Sequence, residues 1–426
     1  MKLGTRSKVL RAAARRKIWR LLGLRTDAYP PRPAGTKLSP SQGLITATDE
    51  TPRNSALDTA CITEWQTKGR NRLAQMAGYK QNTKSPELVA VRGPTGVPPN
   101  DQDLIRTTYY LRVRPDADVP VTTVINRKLS GPLPVFLLLT GSTSGVHLGW
   151  GEAKLPIDHQ RLSIGADLAR QAAQRGYLAV CIEQIGYGER EERHLPKKSN
   201  DRTIDAAMHA ALLGQSLQGL KAMDVSATIN WLNSSDTPYH VDKKRIFLFG
   251  HSSGGTTAQY AAALDPRICG VLASGSVRRM SEILATRGNG NGELLIPGFL
   301  TEFEADDVVA LIAPRPFVGL SGISDHIYPF NGAERVVEGA RPAFAALDAS
   351  KKLIAVCAPH GHRYYAEESW AAWKAVIDPD CGDDQLRLLG VLMRGMTYDG
   401  ERWRLATVGE WLPEGPHLPQ QQQVKQ

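Results

Sequence analysis

The sequence predicts an α/β fold: a mostly parallel sheet covered by helices on both faces and entered through an antiparallel pair of strands. Three observations carry this. Short, wholly apolar runs recur, among them "PVFLLLTG" (134–141), "RIFLFG" (245–250) and "LIAVCAPHG" (353–361). Helix-length segments separate them. Two β-rich stretches precede them, "LIRTTYYLRV" and "PVTTVINRKL", joined only by "RPDAD". Strands buried on both faces read as unbroken apolar runs, and crossover helices put them there. A joint as short as "RPDAD" connects antiparallel neighbours only.

The elements follow in order. Residues 1–27 set Lys2, Arg6, Lys8, Arg11, Arg15, Arg16, Lys17, Arg20 and Arg25 against Asp27 alone. Nearly all of the formal charge of +9 therefore sits there, and the main body is close to neutral. The high isoelectric point thus says little about the main body, and no nucleic-acid partner is expected. Leu10, Ala14, Ile18 and Leu21 recur at helical spacing. This basic amphipathic segment fits peripheral contact with an anionic membrane, a partner, docking on its own protein, a frayed tail or an organelle transit peptide. It lacks the apolar block and cleavage site of a secretory signal, no apolar run reaches 18 residues, and the expected location is cytoplasmic. Residues 28–85 read as linker and N-terminal extension, with one helix candidate at 63–78. The main α/β domain is expected at 86–380. Within it, helices are predicted at 161–175, 205–233, 253–264, 333–347 and 365–377, and strands at 177–188, 269–276 and 316–322. Residues 381–426 read as an extension ending in a disordered tail. The five cysteines are odd in number and scattered, which predicts free, buried thiols.

The most informative stretch is "RIFLFGHSSGGTTAQYAAAL" (245–264). Ser252 falls between the end of a buried strand and the start of a helix, the edge of an α/β sheet where ligands bind. Gly250 and Gly254 flank it at G-x-S-x-G spacing. The pinched turn needs both, because a Cβ at either would strike the adjacent strand or helix. The helix behind the serine turns its free N–H groups toward negative charge forming there. A serine hydroxyl is a weak nucleophile and needs a base oriented by a third group. Asp325, in "GLSGISDHIYP", and His362, in "VCAPHGHRYY", each follow a predicted strand, in the order Ser, Asp, His. Ser252 is thus the predicted nucleophile, His362 the base and Asp325 its orienting acid. Oxyanion-hole amides are expected from Ser253 and from Ser142 or Thr143, after "FLLLTG". No cofactor and no metal is called for.

Other residues compete for these roles. His360 rivals His362, and Asp306 or Asp307, in "EADDVV", rivals Asp325. His251 and His326 either line the pocket or pack. His147, Asp158 and His159 lack ligand spacing and read as surface residues. Arg190, Arg278 and Arg279 lie in two long segments, 186–205 and 276–306, expected to rise over the strand ends. They read as solvated charges or as holders of a carboxylate or sugar, and Trp150 as a buried ring or a sugar platform.

With these residues in view, the chain resembles the dienelactone-hydrolase and acetyl-xylan-esterase-like branch of the α/β-hydrolases. The likeness runs over about 130–375, through "PVFLLLTGSTSG", "RGYLAVCIEQIGYGERE", "VDKKRIFLFGHSSGG", "LIAPRPFVGLSGISDHIYP" and "PHGHRYYAEE". It implies an α/β-hydrolase fold and a cofactor-free serine esterase acting on small acyl esters, often on carbohydrate. By position it makes Ser252 the nucleophile, Asp325 the acid and His362 the base. The chain departs from it in three ways. "TGSTSG" stands where many relatives carry His-Gly, a serine stands where dienelactone hydrolases carry cysteine, and Ser253 stands where glucuronoyl esterases carry arginine. Two alternatives remain beside the esterase: a serine peptidase of the same fold, and a non-catalytic scaffold that binds through its basic N-terminus.

Overall fold

The computed structural model describes residues 34–36, 59–98, 101–193, 203–284, 292–381, 396–398 and 403–405. Residues 48–426 form one compact unit. Residues 1–47 form another, of which only a turn at 34–36 is described. The basic segment 1–27, most of the linker and most of the C-terminal tail therefore lie outside the described residues.

Among the described residues the main sheet of the larger unit has nine strands: β1 (Glu87–Val97), β2 (Asp101–Arg114), β3 (Ala117–Asn126), β4 (Leu133–Leu139), β5 (Leu178–Ile182), β6 (Val241–His251), β7 (Gly270–Ser274), β8 (Phe317–Gly322) and β9 (Leu353–Ala358). They lie side by side in the order β1-β2-β3-β5-β4-β6-β7-β8-β9. From β5 to β9 the pairs are parallel. β3 joins β5 antiparallel, as do β2 and β3. The anticipated pair is extended by β1, which carries Gly93 and Pro94 and lies at the sheet edge, where a strand tolerates both. From β4 the chain steps first to β5 on one side and then to β6 on the other. The crevice above β4 and β6 is thus a topological switch point, where open α/β sheets bind ligands.

The helices are α1 (Thr59–Ala77), α2 (Pro156–Leu162), α3 (Leu168–Gln174), α4 (Ile204–Leu212), α5 (Leu217–Leu232), α6 (Ser253–Leu264), α7 (Met280–Leu284), α8 (Ala305–Ala310), α9 (Phe330–Ala345) and α10 (Ala366–Ala372). Strand side chains alternate between two cores, as period two requires. Val135, Leu137 and Leu139 point into one, with Val225 of α5, Ala258 of α6 and Val336 of α9. Phe136 and Leu138 point into the other, with Leu168 of α3 and Trp370 of α10. Two predicted helices are split. The 161–175 segment breaks between α2 and α3 at Gly165, with φ +84, and 205–233 breaks at Gly214, with φ +72. Ser216 then starts α5 afresh, accepting from the Gly219 amide at 3.0 Å. The segment 365–377 ends in a π turn at Trp373–Ile377.

The helix behind the serine is held at its far end. Arg315, from "APRP", donates to the carbonyls of Ala262, Ile268 and Asp265 at 2.7, 2.8 and 3.1 Å. Arg70 of α1 donates to Ala263 O at 2.8 Å. Two cations thus meet the negative end of α6 and satisfy carbonyls a helix leaves open. None of the five cysteines is in a disulfide, but Cys61 is exposed and Cys269 and Cys357 half-buried, so only Cys181 and Cys381 fit the buried reading.

Candidate active site

The serine turn is forced by backbone packing. A Cβ on Gly250 would drive into the Gly254 carbonyl, and one on Gly254 into the carbonyl of Leu139 on β4. Ser252 itself takes φ 52 and ψ −122, a strained pair for a residue with a side chain. Its amide donates to Ser274 O of β7 at 2.7 Å, and its carbonyl accepts from Thr256 N at 3.0 Å. Both ends of the corner are therefore pinned, and the hydroxyl stands clear of the sheet.

The other two residues arrive from strand ends far along the chain. Asp325 follows β8 and His362 follows β9. His362 Nε2 lies 2.9 Å from Ser252 Oγ, and its Nδ1 lies 2.7 Å from Asp325 Oδ2. A carboxylate only accepts, so Nδ1 bears the proton and Nε2 is left to accept from the serine hydroxyl. Asp325 is buried, and its second oxygen accepts from the amides of Ile327 and Tyr328 at 2.9 and 2.8 Å. Burial opposes its charge, but the His362 hydrogen bond and charge, then these two amides, outweigh burial and hold the carboxyl below its usual range. An imidazole so oriented is able to draw a proton from the hydroxyl.

All of this opens on a cleft of about 480 Å³, walled by Ser142, Arg161, Ser253, Tyr328 and Arg363 among others. Gly141 lies close to the elbow, since a Cβ on it would sit 3.0 Å from Ser252 Cβ. The Thr143 amide is turned back onto Gly141 O at 2.7 Å.

The remaining sequence candidates are elsewhere. His360 is exposed. Asp306 and Asp307 stand in the first turn of α8, Asp306 buried against Arg279 at 3.0 Å. Arg190 is tied to Asp224 at 2.6 Å, with Arg114 on the other carboxylate oxygen at 2.7 Å. Arg278 donates to Ile327 O at 3.0 Å. The three arginines thus serve the scaffold. Trp150 is buried and donates to Glu152 at 2.8 Å. His147 and Asp158 are not surface residues: both are buried and meet at 3.2 Å, and only His159 is exposed. Two backbone amides and the Ser144 hydroxyl also reach Asp158, so this carboxylate organises the loop into α2. Among the described residues no group of three or more His, Cys, Asp or Glu has the geometry to hold a metal. His251 packs its ring 4.1 Å from that of Tyr364 and 5.3 Å from that of His362. Burial, then the nearby His362, push its pKa down to about 3 despite the pull of Asp325, so it stays neutral.

Sequence reasoning missed one cluster. Lys221 of α5 and Glu293 are fully buried as a pair at 3.2 Å beside Ser253, and Tyr187 joins them. Lys221 falls inside a helix that reads as apolar and scaffold-like, and Glu293 in a segment that reads as a loop. The one available signal was a lysine set between Leu220 and Ala222 in a run that then stays free of basic residues as far as Leu232.

With the fold and site described, comparison with known proteins can be made. The model of the Abhydrolase family matches residues 48–338, and that of a domain of unknown function matches 373–426. The YtaP protein of Bacillus subtilis (strain 168), designated a hydrolase, is 23% identical over 263 residues, 61% of this chain and 83% of that one. A crystal structure from Bacteroides fragilis NCTC 9343, assigned as an acetyl xylan esterase, superposes with a TM-score of 0.59 at 19% identity, covering 78% of this chain and 84% of that one. A glucuronoyl esterase from Teredinibacter turnerae T7901 does so with a TM-score of 0.54 at 18% identity, covering 84% and 97%. At these identities the superpositions establish a shared α/β-hydrolase architecture.

Proposed function

The chain belongs to the Abhydrolase family, and from that premise we propose that it is a serine carboxylic-ester hydrolase working through an acyl-enzyme. One observation carries the reading: Ser252 Oγ at 2.9 Å from His362 Nε2, with Asp325 at 2.7 Å on the ring's other nitrogen, at the floor of a cleft. His362 takes the hydroxyl proton as Ser252 Oγ bonds to the ester carbonyl carbon. The carbonyl oxygen becomes an oxyanion, held by the Ser253 amide and one from the loop after β4. The Thr143 amide already has an acceptor in Gly141 O, so Ser142 is the better second donor. The C–O bond to the alcohol then breaks, and His362 gives the proton to the departing oxygen. Water, deprotonated by the same imidazole, attacks the acyl-enzyme, and the serine leaves with the proton restored.

The substrate class proposed is a small acyl ester, carbohydrate-linked in the natural case. The esterase names of the structural relatives support that class. The test is hydrolysis of 4-nitrophenyl acetate, with labelling by a fluorophosphonate. Ser252→Ala is expected to abolish labelling and lower turnover at least about 1000-fold, since the triad acts as a unit. Retained labelling, or turnover within tenfold of wild type, would reject the assignment.

A further inference from the structure

The two hole residues are linked by more than their position. The hydroxyls of Ser253 and Ser142 converge on one buried ion pair. Lys221 Nζ, 1% exposed, donates to Ser253 Oγ at 3.3 Å and pairs with Glu293 Oε1 at 3.2 Å. Tyr187 spends its single phenol proton on the same Glu293 oxygen at 2.5 Å. Its own oxygen therefore accepts from the Ser142 hydroxyl, 2.8 Å away. The ammonium also lies 5.3 Å from the centre of the Tyr187 ring. An unbroken chain thus runs Ser253, Lys221, Glu293, Tyr187, Ser142.

Stability does not explain such a pair. A buried ion pair generally gains nothing over apolar residues of the same volume, because desolvation offsets the attraction. What it does supply is fixed geometry, through hydrogen bonds that run from each residue to the next. An oxyanion hole depends on that, since its donors act only if aligned before charge develops, and a misplacement of about 1 Å costs about 100-fold. Glu293 comes from a short turn on the cleft wall, Gly292–Leu294, so the chain also ties the hole to that wall.

We infer that Lys221, Glu293 and Tyr187 are positioning residues that clamp the two amide-bearing serines of the oxyanion hole into one rigid unit. The inference rests on the esterase reading above. The test pairs Lys221→Met with Glu293→Gln, which removes both charges at nearly constant volume. On 4-nitrophenyl acetate the double variant is expected to lose about 10- to 100-fold in kcat, less than the loss of a whole donor, with KM within about threefold. Fluorophosphonate inactivation of Ser252, which builds the same oxyanion, is expected to slow in parallel. Tyr187→Phe cuts the chain without touching either charge, and is expected to show the same pattern at about tenfold. It also serves if the double variant does not fold. Wild-type kcat in a folded double variant, or in Tyr187→Phe, overturns the clamp while labelling of wild-type Ser252 keeps the esterase reading. Absence of labelling in the wild type overturns both.

Discussion

Asp325→Asn offers the sharpest examination of the proposed charge arrangement, because the surroundings decide which way the new amide faces. In the native site Asp325 Oδ1 accepts from two backbone amides, of Ile327 and Tyr328, while Oδ2 faces His362 Nδ1. An asparagine turned with its NH2 toward those amides would leave two buried donors facing donors, at about 1–3 kcal/mol each. Its oxygen therefore stays on the amides and its NH2 faces His362. A donor there requires a bare Nδ1, which moves the ring proton to Nε2. Nε2–H then points at Ser252 Oγ and is unable to accept its proton. The expected loss in kcat is about 10⁴-fold, the scale seen when an acid of this kind is made an amide, or about 5.4 kcal/mol of barrier. Steady-state hydrolysis of 4-nitrophenyl acetate at neutral pH reads it, with a melting curve to show that the fold survives. Activity within tenfold of wild type in a folded variant would refute the tautomer argument and the role given to Asp325.

The remaining predictions concern stability. Asp325 and His251 both have depressed folded pKa values, Asp325 below the ordinary carboxylate value of about 4 and His251 at about 3 against about 6.5. In each case the unfolded chain binds the proton first as pH falls, so the stability each contributes is present at neutral pH and is lost on acidification. His251 acts between about pH 6.5 and 3 and is worth up to about 5 kcal/mol, and Asp325 acts below about pH 4. Melting temperature is expected to drop from pH 7 to 4.5, and less steeply in His251→Phe, whereas parallel profiles would exclude the histidine. Gly254→Ala pushes a methyl into the Leu139 carbonyl, backbone of a central strand that has nowhere to go. About 3 kcal/mol or more of destabilisation is expected, and an unchanged denaturation midpoint would contradict it.

How much of this was legible in the sequence follows from what each feature depends on. The parallel strands announce themselves because burial on both faces demands apolar residues throughout, as in Val135 to Leu139. The elbow does so because Gly250 and Gly254 answer to local backbone crowding that no other residue relieves. The convergence of Asp325 and His362 on Ser252 is legible from strand ends and chain order, a rule of topology. Breaks at Gly165 and Gly214 escaped because a single glycine costs a helix only about 1 kcal/mol, and a left-handed turn there is decided by what packs on either side. The burial of His147 and Asp158, and the Lys221–Glu293 pair, escaped for a related reason. Charges enter an interior when partners meet them there, and for Asp158 these are the Ser144 hydroxyl, His147 and two backbone amides gathered by the fold of one loop. Lys221 and Glu293 are 72 positions apart, on elements whose contact no local pattern encodes.

The site as proposed accordingly has two supports of different origin, and they meet at the elbow. The proton-transfer limb hangs from β8 and β9, through Asp325 and His362. The oxyanion limb hangs from β4, the turn after β5, α5 and the cleft-wall turn, through Ser142, Tyr187, Lys221 and Glu293. Ser252 and Ser253 are adjacent residues that the proposal assigns to opposite limbs, on the corner made by the φ of 52 at Ser252. The corner tolerates no side chain at Gly250 or Gly254 because a Cβ there would strike the carbonyls of Gly254 and Leu139. A shift of the elbow by a fraction of an ångström would misalign both limbs at once, whereas a fault in one limb leaves the other's donors in place. Losses within the Ser–His–Asp limb should therefore overlap, as members of one unit do, while losses between the limbs should approach additivity.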